Sequence, residues 1–361
     1  MIDRPHRKGP RPSVDRQPPS AHQEASSIIN GFRDLIGQAR AIHLLQQGLR
    51  AGRTPHAYLF AGPEGVGKRT AALALAQALN CEEGMARADG CGTCLSCRKI
   101  AKGLHPDVQV IEPAGATMKI DQVRTLEADA ALGLYEGKRK VFILDRAEKM
   151  TEQAANAILK TLEEPPGRSV LILLTTTPSA LLPTIVSRCQ TVTFSSLPDE
   201  ALQTYLVQRG LDQNDARLVV SFSRGSLGRA LSQDVATLTS SRDLFLEQVE
   251  QAFRDGPAAM IETAEKRAKD RDTVQQQCEL LSAWLRDLMV ARVSRGQVWL
   301  VNRDRGEAVV RRSQELPLHA ILDGLRAVHA AMDGLARNAN PRLTLERLLL
   351  RLCETAPSGL S

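Results

Sequence analysis

The chain has 361 residues, enough for two or three domains, and its 43% hydrophobic and 24% charged residues are typical of a globular protein. A net charge of +6 permits contact with nucleic acid without requiring it, and 3% aromatic residues disfavour base stacking as a main device. The sequence has no apolar run long enough to span a membrane and no signal-peptide core, so we expect a cytosolic protein. Its seven cysteines then indicate metal ligands or buried thiols rather than disulfides.

Residues 1–30 form the first segment of the chain. They are rich in Pro, Arg, Ser and Gln and contain few large apolar residues, which predicts a disordered tail. Since this segment also carries several arginines, an arm that binds DNA is the alternative.

Short apolar strands alternate with helical or loop-forming sequence from Phe32 onward. This alternation predicts a parallel sheet with helices on both faces, in which ligands bind at the carboxyl ends of the strands. The predicted strands are Ala57–Ala61, Asp107–Ile111, Lys140–Leu144, Val170–Leu174 and Thr191–Phe194.

A phosphate-binding loop follows the first strand. The run GPEGVGK, from Gly62 to Lys68, joins that strand to a predicted helix, which is the context this motif requires. Its glycines let backbone N–H groups surround phosphate oxygens, and Lys68 reaches the outer phosphates. The next position should supply a Ser or Thr ligand to Mg²⁺ but holds Arg69, and Thr70 lies about 100° further round the helix. The loop therefore predicts a nucleotide pocket without one metal ligand; a relic loop that binds nothing is the alternative.

A second acidic site is predicted at the end of the third strand. Asp145 follows an apolar run and is placed to bind Mg²⁺ through water. The next position of an ATPase of this type carries a Glu that orients the attacking water, but here it is Arg146, a cation that accepts no proton and repels the metal. Glu148 lies three residues along, past the strand end, and is a poor substitute. Arginine at positions 69 and 146 predicts that the chain does not hydrolyse ATP.

Four cysteines lie within seventeen residues, and two CxxC pairs share the third of them. Thiolates suit Zn²⁺, the short spacings converge on one ion, and nearby glycines permit tight turns. The sequence therefore predicts one structural zinc in an insert over residues 81–97, whereas a redox pair, the alternative, needs fewer cysteines. The predicted ligands are Cys81, Cys91, Cys94 and Cys97.

Only helices are predicted after Pro198. Three short helices, Asp199–Arg209, Asn214–Phe222 and Ser226–Ser232, indicate a small domain. Longer amphipathic helices then predict a bundle, which is either an independent domain or an oligomerisation collar. The predicted bundle helices are Ser240–Phe253, Met260–Ala268, Val274–Val293, Leu318–Ala336 and Leu343–Thr355.

These motifs resemble the clamp-loader branch of the AAA+ ATPases over residues 32–231. The segment Met150–Pro166 followed by Ser187-Arg188-Cys189 is the most specific part of the resemblance. It implies a RecA-like AAA+ domain with the zinc-binding insert at residues 31–196, a helical lid at 197–234 and an all-α collar at 235–357. Further carriers are Phe32-x-Asp34-Leu35-Ile36-Gly37-Gln38, the phosphate-binding loop, the cysteine insert, His105-Pro106-Asp107 and Ile120–Arg124.

Within that family, the arginines at positions 69 and 146 imply a stator-like subunit that is no enzyme by itself. Arg188 is implied to be an arginine finger acting on the ATP of a neighbouring subunit; on the residues alone, a surface ion pair is the alternative. The lid arginine of motor subunits would fall at Gly228, whereas this chain has Arg229 one position later. The implied nucleotide-binding residues are Gly62, Gly65, Gly67, Lys68, Arg69, Thr70, Asp145 and Thr175.

The resemblance also implies the surroundings of such a subunit. Its partners would be gamma/tau-type motor subunits and delta-type subunits, with the sliding clamp and primed DNA reached through the complex, in the bacterial cytoplasm and without a membrane. It would belong to the DNA polymerase III holoenzyme and bind ATP or ADP without hydrolysis. A self-sufficient motor or repair ATPase and a P-loop kinase are the alternatives. The two arginines oppose the first of these, and the cysteine insert and C-terminal helices oppose the second.

Overall fold

A computed structural model describes residues 30–83, 87–294 and 300–355 of the chain. The predicted tail therefore lies outside the described residues, except for Asn30. None of the helices in the described part of the chain is both long and apolar enough to cross a membrane.

Five parallel strands form one sheet in the order β2-β3-β4-β1-β5, which confirms the predicted α/β class. The central strands β1, β3 and β4 are buried along their whole length, as expected for a sheet covered on both faces. The strands are β1 Ala57–Ala61, β2 Val108–Ile111, β3 Lys140–Leu144, β4 Ser169–Thr175 and β5 Gln190–Thr193.

Helices cover both faces of this sheet because successive side chains of each strand point to opposite sides. Tyr58 and Phe60 of β1 pack with the helices Ala39–Arg50 (α1) and Lys68–Asn80 (α2). Leu59 packs on the other face with the helices Ile120–Ala131 and Glu152–Glu163. The remaining helices of this region are α3 Leu95–Ala101, α4 Ile120–Ala131, α5 Glu152–Glu163 and α6 Pro183–Val186.

The rest of the described chain is helical. Three short helices share a small apolar core that includes Leu202, Leu206 and Val219. The longer helices enclose a separate core around Trp284 and Ile321, so the predicted bundle is present. These helices are α7 Asp199–Gln208, α8 Gln213–Ser223, α9 Leu227–Ser232, α10 Val235–Asp255, α11 Pro257–Arg267, α12 Arg271–Val293, α13 Gly306–Glu315, α14 Leu318–Ala336 and α15 Pro341–Thr355.

The bundle differs from the prediction in one helix and in its helix starts, since α11, α12 and α15 begin two or three residues before the predicted positions. Helix α10 begins at Val235, five residues before the predicted start, because the Asp234 carboxylate caps it by accepting a 2.8 Å hydrogen bond from the Thr237 N–H. Helix α13 was not predicted at all. It is rich in charged and polar residues and buries only Val309 and Ser313, so few apolar residues mark it in the sequence.

Candidate functional site

The predicted phosphate-binding loop leaves β1 at Ala61 and enters α2 at Lys68. Gly65 and Gly67 have φ values of +72° and +103°, in the left-handed region that glycine adopts without steric cost. The loop begins beside the end of β4, where the Gly62 N–H donates to the Thr175 carbonyl at 3.2 Å. The sequence and the local backbone therefore agree on a loop of the phosphate-binding type.

Lys68 lies within this loop and is only 8% exposed. Its ammonium group donates to the carbonyl oxygens of Gly62 and Pro63, each at 2.6 Å. Burial lowers the pKa of Lys68, and the carboxylates of Asp145 and Glu148 oppose that shift. The lysine is thus held over the loop, close to where a phosphate group would be bound.

Arg69 extends from the first turn of α2 towards two carboxylates. Its Nη1 atom contacts the Glu112 carboxylate and lies 3.3 Å from Oδ2 of Asp145. Thr70 follows it in the helix and is half-buried. The carboxylate expected to bind Mg²⁺ is therefore paired with a guanidinium of the same chain.

Glu112 was not predicted from the sequence. It directly follows β2, and Asp145 directly follows the neighbouring strand β3. Since the carboxyl ends of parallel strands meet at one edge of a sheet, the position of Glu112 after a predicted strand was the signal that could have identified it.

The other residues of the second acidic site lie beside Asp145. The Arg146 N–H donates to Asp145 Oδ1 at 2.9 Å, while the Arg146 side chain is exposed and its φ is +52°. Thr175 is buried at the end of β4, and the hydroxyl of Thr176 donates to Glu148 at 2.8 Å. Burial would raise the pKa of the Glu148 carboxyl, but hydrogen bonds from its own backbone and from Thr176 hold it below its ordinary value.

The lid contacts the loop directly. The Gly228 N–H at the start of α9 donates to the Gly65 carbonyl at 2.9 Å. A Cβ atom on Gly65 would lie 2.2 Å from the Ser226 hydroxyl oxygen and 3.2 Å from the Gly228 Cα, so α9 packs against the loop at van der Waals distance. Burial raises the pKa of the Glu279 carboxyl of α12, and the charges of Arg224 and Arg229 oppose that rise. The one-residue shift inferred from the sequence thus accompanies a backbone contact between lid and loop.

Arg188 follows α6 and precedes β5 at the protein surface, with 35% of its side chain exposed. Its Nη2 atom donates to Glu163 Oε1 at 2.6 Å and its Nη1 atom to the Thr184 carbonyl at 3.0 Å. Glu163 ends α5 and was not predicted as a partner of this arginine. Both contacts leave further N–H groups of the guanidinium free to donate.

The four predicted cysteines converge on one point. Their Sγ atoms all lie within 4.8 Å of one another, and the Cys91–Cys97 and Cys81–Cys94 sulfur pairs are 4.0 and 3.9 Å apart. Four sulfurs bound tetrahedrally at about 2.3 Å from zinc would be roughly 3.8 Å apart. The sulfur separations therefore fit a zinc site that has no open position.

Local structure places these thiols. Cys94 caps α3 by accepting a hydrogen bond from the Cys97 N–H at 3.5 Å, and Cys91 accepts one from the Cys94 N–H at 3.2 Å. A hydrogen bond from the Thr93 hydroxyl lowers the pKa of Cys91 to about 6, whereas burial raises the pKa of Cys81 and Cys97. A bound cation is what would stabilise the buried pair as thiolates.

The cysteine insert also contacts the first described residues of the chain. Asp89 accepts a 2.7 Å hydrogen bond from the Phe32 N–H, and Arg33 donates to the Gly90 carbonyl at 3.0 Å. Gln77 of α2, which is buried, accepts from the Gly31 N–H at 2.9 Å. The insert therefore joins the start of the described chain to the end of α2.

Comparison with known proteins identifies the family. The model described as "DNA polymerase III, delta subunit" matches residues 37–198, and the model described as "DNA polymerase III, delta subunit, C terminal" matches residues 237–354. Together they cover more than three quarters of the chain. The chain belongs to the DNA polymerase III delta subunit family. This result confirms the resemblance to clamp-loader subunits and, with the sheet and the cysteine cluster, the predicted AAA+ fold class.

Two relatives found by sequence comparison agree with that assignment. DNA polymerase III subunit delta' of Bacillus subtilis is 28% identical, over 88% of this chain and 96% of its own. DNA polymerase III subunit tau of the same organism is 25% identical, over 90% of this chain but only 62% of the tau chain. A solved DNA polymerase III gamma subunit-related protein from Thermotoga maritima is 20% identical, with a TM-score of 0.43 and coverage of 87% and 99% of the two chains.

Proposed function

We propose that the chain is a stator-like subunit of the bacterial sliding-clamp loader, which supplies Arg188 to the ATP of a neighbouring subunit. The position of Arg188 in the sheet carries this proposal. Arg188 lies just before β5, whereas the chain's own phosphate-binding loop follows the carboxyl end of the adjacent strand β1. The two sites therefore lie at opposite ends of the parallel strands, which are about 10 Å long.

The neighbouring subunit is the better recipient of this charge. An arginine that reaches the γ-phosphate of another subunit's ATP stabilises the charge that develops during hydrolysis, an effect of about 10³–10⁵ in rate. The partly exposed guanidinium is held by Glu163 and Thr184 but retains free N–H donors. It is thus oriented in advance, which lowers the entropic cost of contacting a partner.

The chain's own loop supports a role without hydrolysis. Arg69 and Arg146 occupy the positions at which an ATPase has a metal ligand and the water-orienting Glu. The loop and Lys68 are retained, so we include binding of ATP or ADP without turnover. We also propose one structural zinc on Cys81, Cys91, Cys94 and Cys97, with no part in the chemistry.

Family membership supports the proposed partners. Gamma/tau-type motor subunits and a delta-type subunit would form the hetero-oligomer, through the helical collar at residues 235–357. The sliding clamp and primed DNA would be reached through the complex, at the replisome in the bacterial cytoplasm. Relatives described as subunits delta' and tau of DNA polymerase III are consistent with this assembly.

The decisive experiment is the ATPase of a complex reconstituted with wild-type or Arg188→Ala chain. We expect at least a tenfold loss of DNA-stimulated ATPase and of clamp loading with the variant, with unchanged zinc content and melting temperature. Arg188→Lys should restore only part of the rate, because an ammonium lacks the planar fork of a guanidinium. Arg50→Ala, at the exposed end of α1, is the matched control and should behave as wild type.

Two results would reject the proposal. Equal rates with wild-type and Arg188→Ala chains would make Arg188 an ordinary surface residue. ATP turnover by the isolated chain at the ~1–100 s⁻¹ typical of phosphoryl-transfer enzymes would instead identify a self-sufficient ATPase.

A further inference from the structure

We propose that the Arg69 guanidinium is the resident cation of the phosphate-binding loop, so that this chain binds nucleotide without magnesium. The inference rests on the nucleotide binding included in the proposed function. ATP-hydrolysing proteins of this type bind Mg²⁺ beside the loop, whereas the residues of this chain do not suit a metal ion there.

Two carboxylates meet at the edge of the sheet beside the loop. Glu112 follows β2 and Asp145 follows β3, and these neighbouring strands pair Ile111 with Leu144 directly before them. Magnesium prefers such oxygen ligands, but it demands near-octahedral geometry at about 2.0–2.1 Å and free lone pairs on the ligands. This pair of carboxylates is therefore the place where a divalent cation would be expected in a chain that used one.

Arg69 occupies that place. Its Nη1 atom contacts the Glu112 carboxylate and lies 3.3 Å from Asp145 Oδ2, so one guanidinium edge lies between the two acids. A metal ion here would have to displace these hydrogen bonds and would be repelled by the positive charge. Thr70, the nearest hydroxyl in the sequence, is the next residue of the helix and faces about 100° away.

The loop itself is arranged for an anion. No backbone acceptor in the described part of the chain pairs with the N–H groups of Gly65, Val66 or Gly67. The loop carbonyls are satisfied in contrast: Lys68 donates to two of them and the Gly228 N–H to a third. The loop therefore offers free N–H donors, a helix N-terminus and the Lys68 ammonium to the phosphates of a nucleoside di- or triphosphate, while Arg69 balances the charge of the two carboxylates in place of a metal.

The magnesium dependence of nucleotide binding follows from this arrangement. A pocket with a metal site gains affinity when Mg²⁺ bridges phosphate and protein. In this chain a permanent side chain already pairs with the two carboxylates, so added Mg²⁺ gives no such gain and competes for the free nucleotide in solution. Replacing Arg69 by Thr restores a hydroxyl ligand and releases both carboxylates, which creates the metal dependence that the wild type lacks.

The test uses the full-length chain and a fluorescent ADP as the probe, titrated in excess EDTA and in millimolar Mg²⁺. For the wild type we expect dissociation constants within about threefold of each other, or tighter binding in EDTA. For Arg69→Thr we expect binding at least tenfold tighter in Mg²⁺ than in EDTA. Arg40→Thr, an exposed arginine on α1, is the matched control and should bind like the wild type.

A second variant tests whether misfolding, rather than the loss of the cation, explains the behaviour of Arg69→Thr. Arg69→Lys retains a cation at the same place and should keep binding independent of magnesium, with unchanged zinc content and circular dichroism. Wild-type binding that requires Mg²⁺ would overturn the inference, as would binding of Arg69→Thr that ignores it. If the wild type binds no nucleotide in either buffer, the inference also fails, while the role of Arg188, measured separately in the assembled complex, is unaffected.

Discussion

Arg188 is held at the surface by one carboxylate and one carbonyl, and the carboxylate is the part that can be changed without altering the arginine. Glu163→Gln keeps a hydrogen-bond acceptor but removes the charge that fixes Nη2 at 2.6 Å. Exposed ion pairs contribute about 0.2–1 kcal/mol, so we expect the ATPase of the reconstituted complex to fall by about 1.4- to fivefold, less than with Arg188→Ala.

Thermal unfolding separates this positioning effect from a loss of stability. The isolated Glu163→Gln chain should melt within about 1–2 °C of the wild type, since both side chains are partly exposed. Glu164→Gln changes the adjacent exposed carboxylate and is the matched control. An ATPase equal to wild type with Glu163→Gln would leave Glu163 without a positioning role.

At this scale the sequence identifies residues whose chemistry is local. The glycines of the loop, Lys68, Arg69 and the cysteines stand in short motifs whose spacing fixes their geometry. Glu112 and Glu163 could not be identified in the same way, because each matters through the arginine that it contacts. That arginine is 43 positions away in the sequence for Glu112 and 25 positions away for Glu163. Such a pairing depends on how strands and helices are arranged in the fold.

At the scale of elements, the cysteine insert has little hydrophobic core of its own to stabilise it. It has few buried apolar side chains, and its helix α3 is only seven residues long. Structural zinc in small motifs contributes its binding free energy directly to folding, with apparent values of about 10–16 kcal/mol in zinc-finger peptides. The metal is therefore expected to order the insert, while the sheet keeps its own core.

Replacing Cys94 and Cys97 together by Ser tests this. The zinc content, measured by metal analysis, should fall from about one zinc per chain to none. Hydrogen exchange should accelerate at the Gly31 and Phe32 amides, which donate to Gln77 and to Asp89 of the insert, but not at the strands. Cys353→Ser, a thiol of the helical bundle, is the control and should retain its zinc. Undiminished zinc in the double variant would contradict the proposed ligand set.

Helices and strands were predictable where burial requires a regular pattern of apolar residues in the sequence. The strands were located to within one or two residues, because a doubly covered sheet requires continuous apolar runs. Helix starts were less well predicted, since they depend on a single capping side chain such as Asp234 or Asp270. Helix α13 was missed because it contains few apolar residues, and the prediction relied on apolar residues recurring at helical spacing.

At the scale of the whole molecule, a direct backbone contact links the lid to the phosphate-binding loop. Here the Gly228 N–H donates directly to the Gly65 carbonyl, and a close backbone approach at Gly65 joins the two parts. A lid fixed by backbone contacts suits a subunit whose shape does not follow its own nucleotide.

Gly65→Ala is the substitution that tests this contact. Its φ of +72° disfavours any side chain by roughly 1–2 kcal/mol, and its Cβ would approach Ser226 Oγ and the Gly228 backbone. Gly52→Ala is the matched control, because Gly52 has a similar φ of +64° and nothing within 4 Å of an added Cβ. Both variants should lose similar stability from backbone strain, but only Gly65→Ala should displace α9.

Hydrogen exchange at the Gly228 amide reports the displacement directly. We expect it to be at least tenfold faster in Gly65→Ala than in the wild type, and unchanged in Gly52→Ala after correction for global stability. Since a loosened lid lets the collar move relative to the sheet, assembly with the motor subunits should also weaken in Gly65→Ala alone. Equal exchange in both variants would mean that the lid is held by other contacts, such as the 2.6 Å ion pair between Arg224 and Glu279, and that the loop does not fix it.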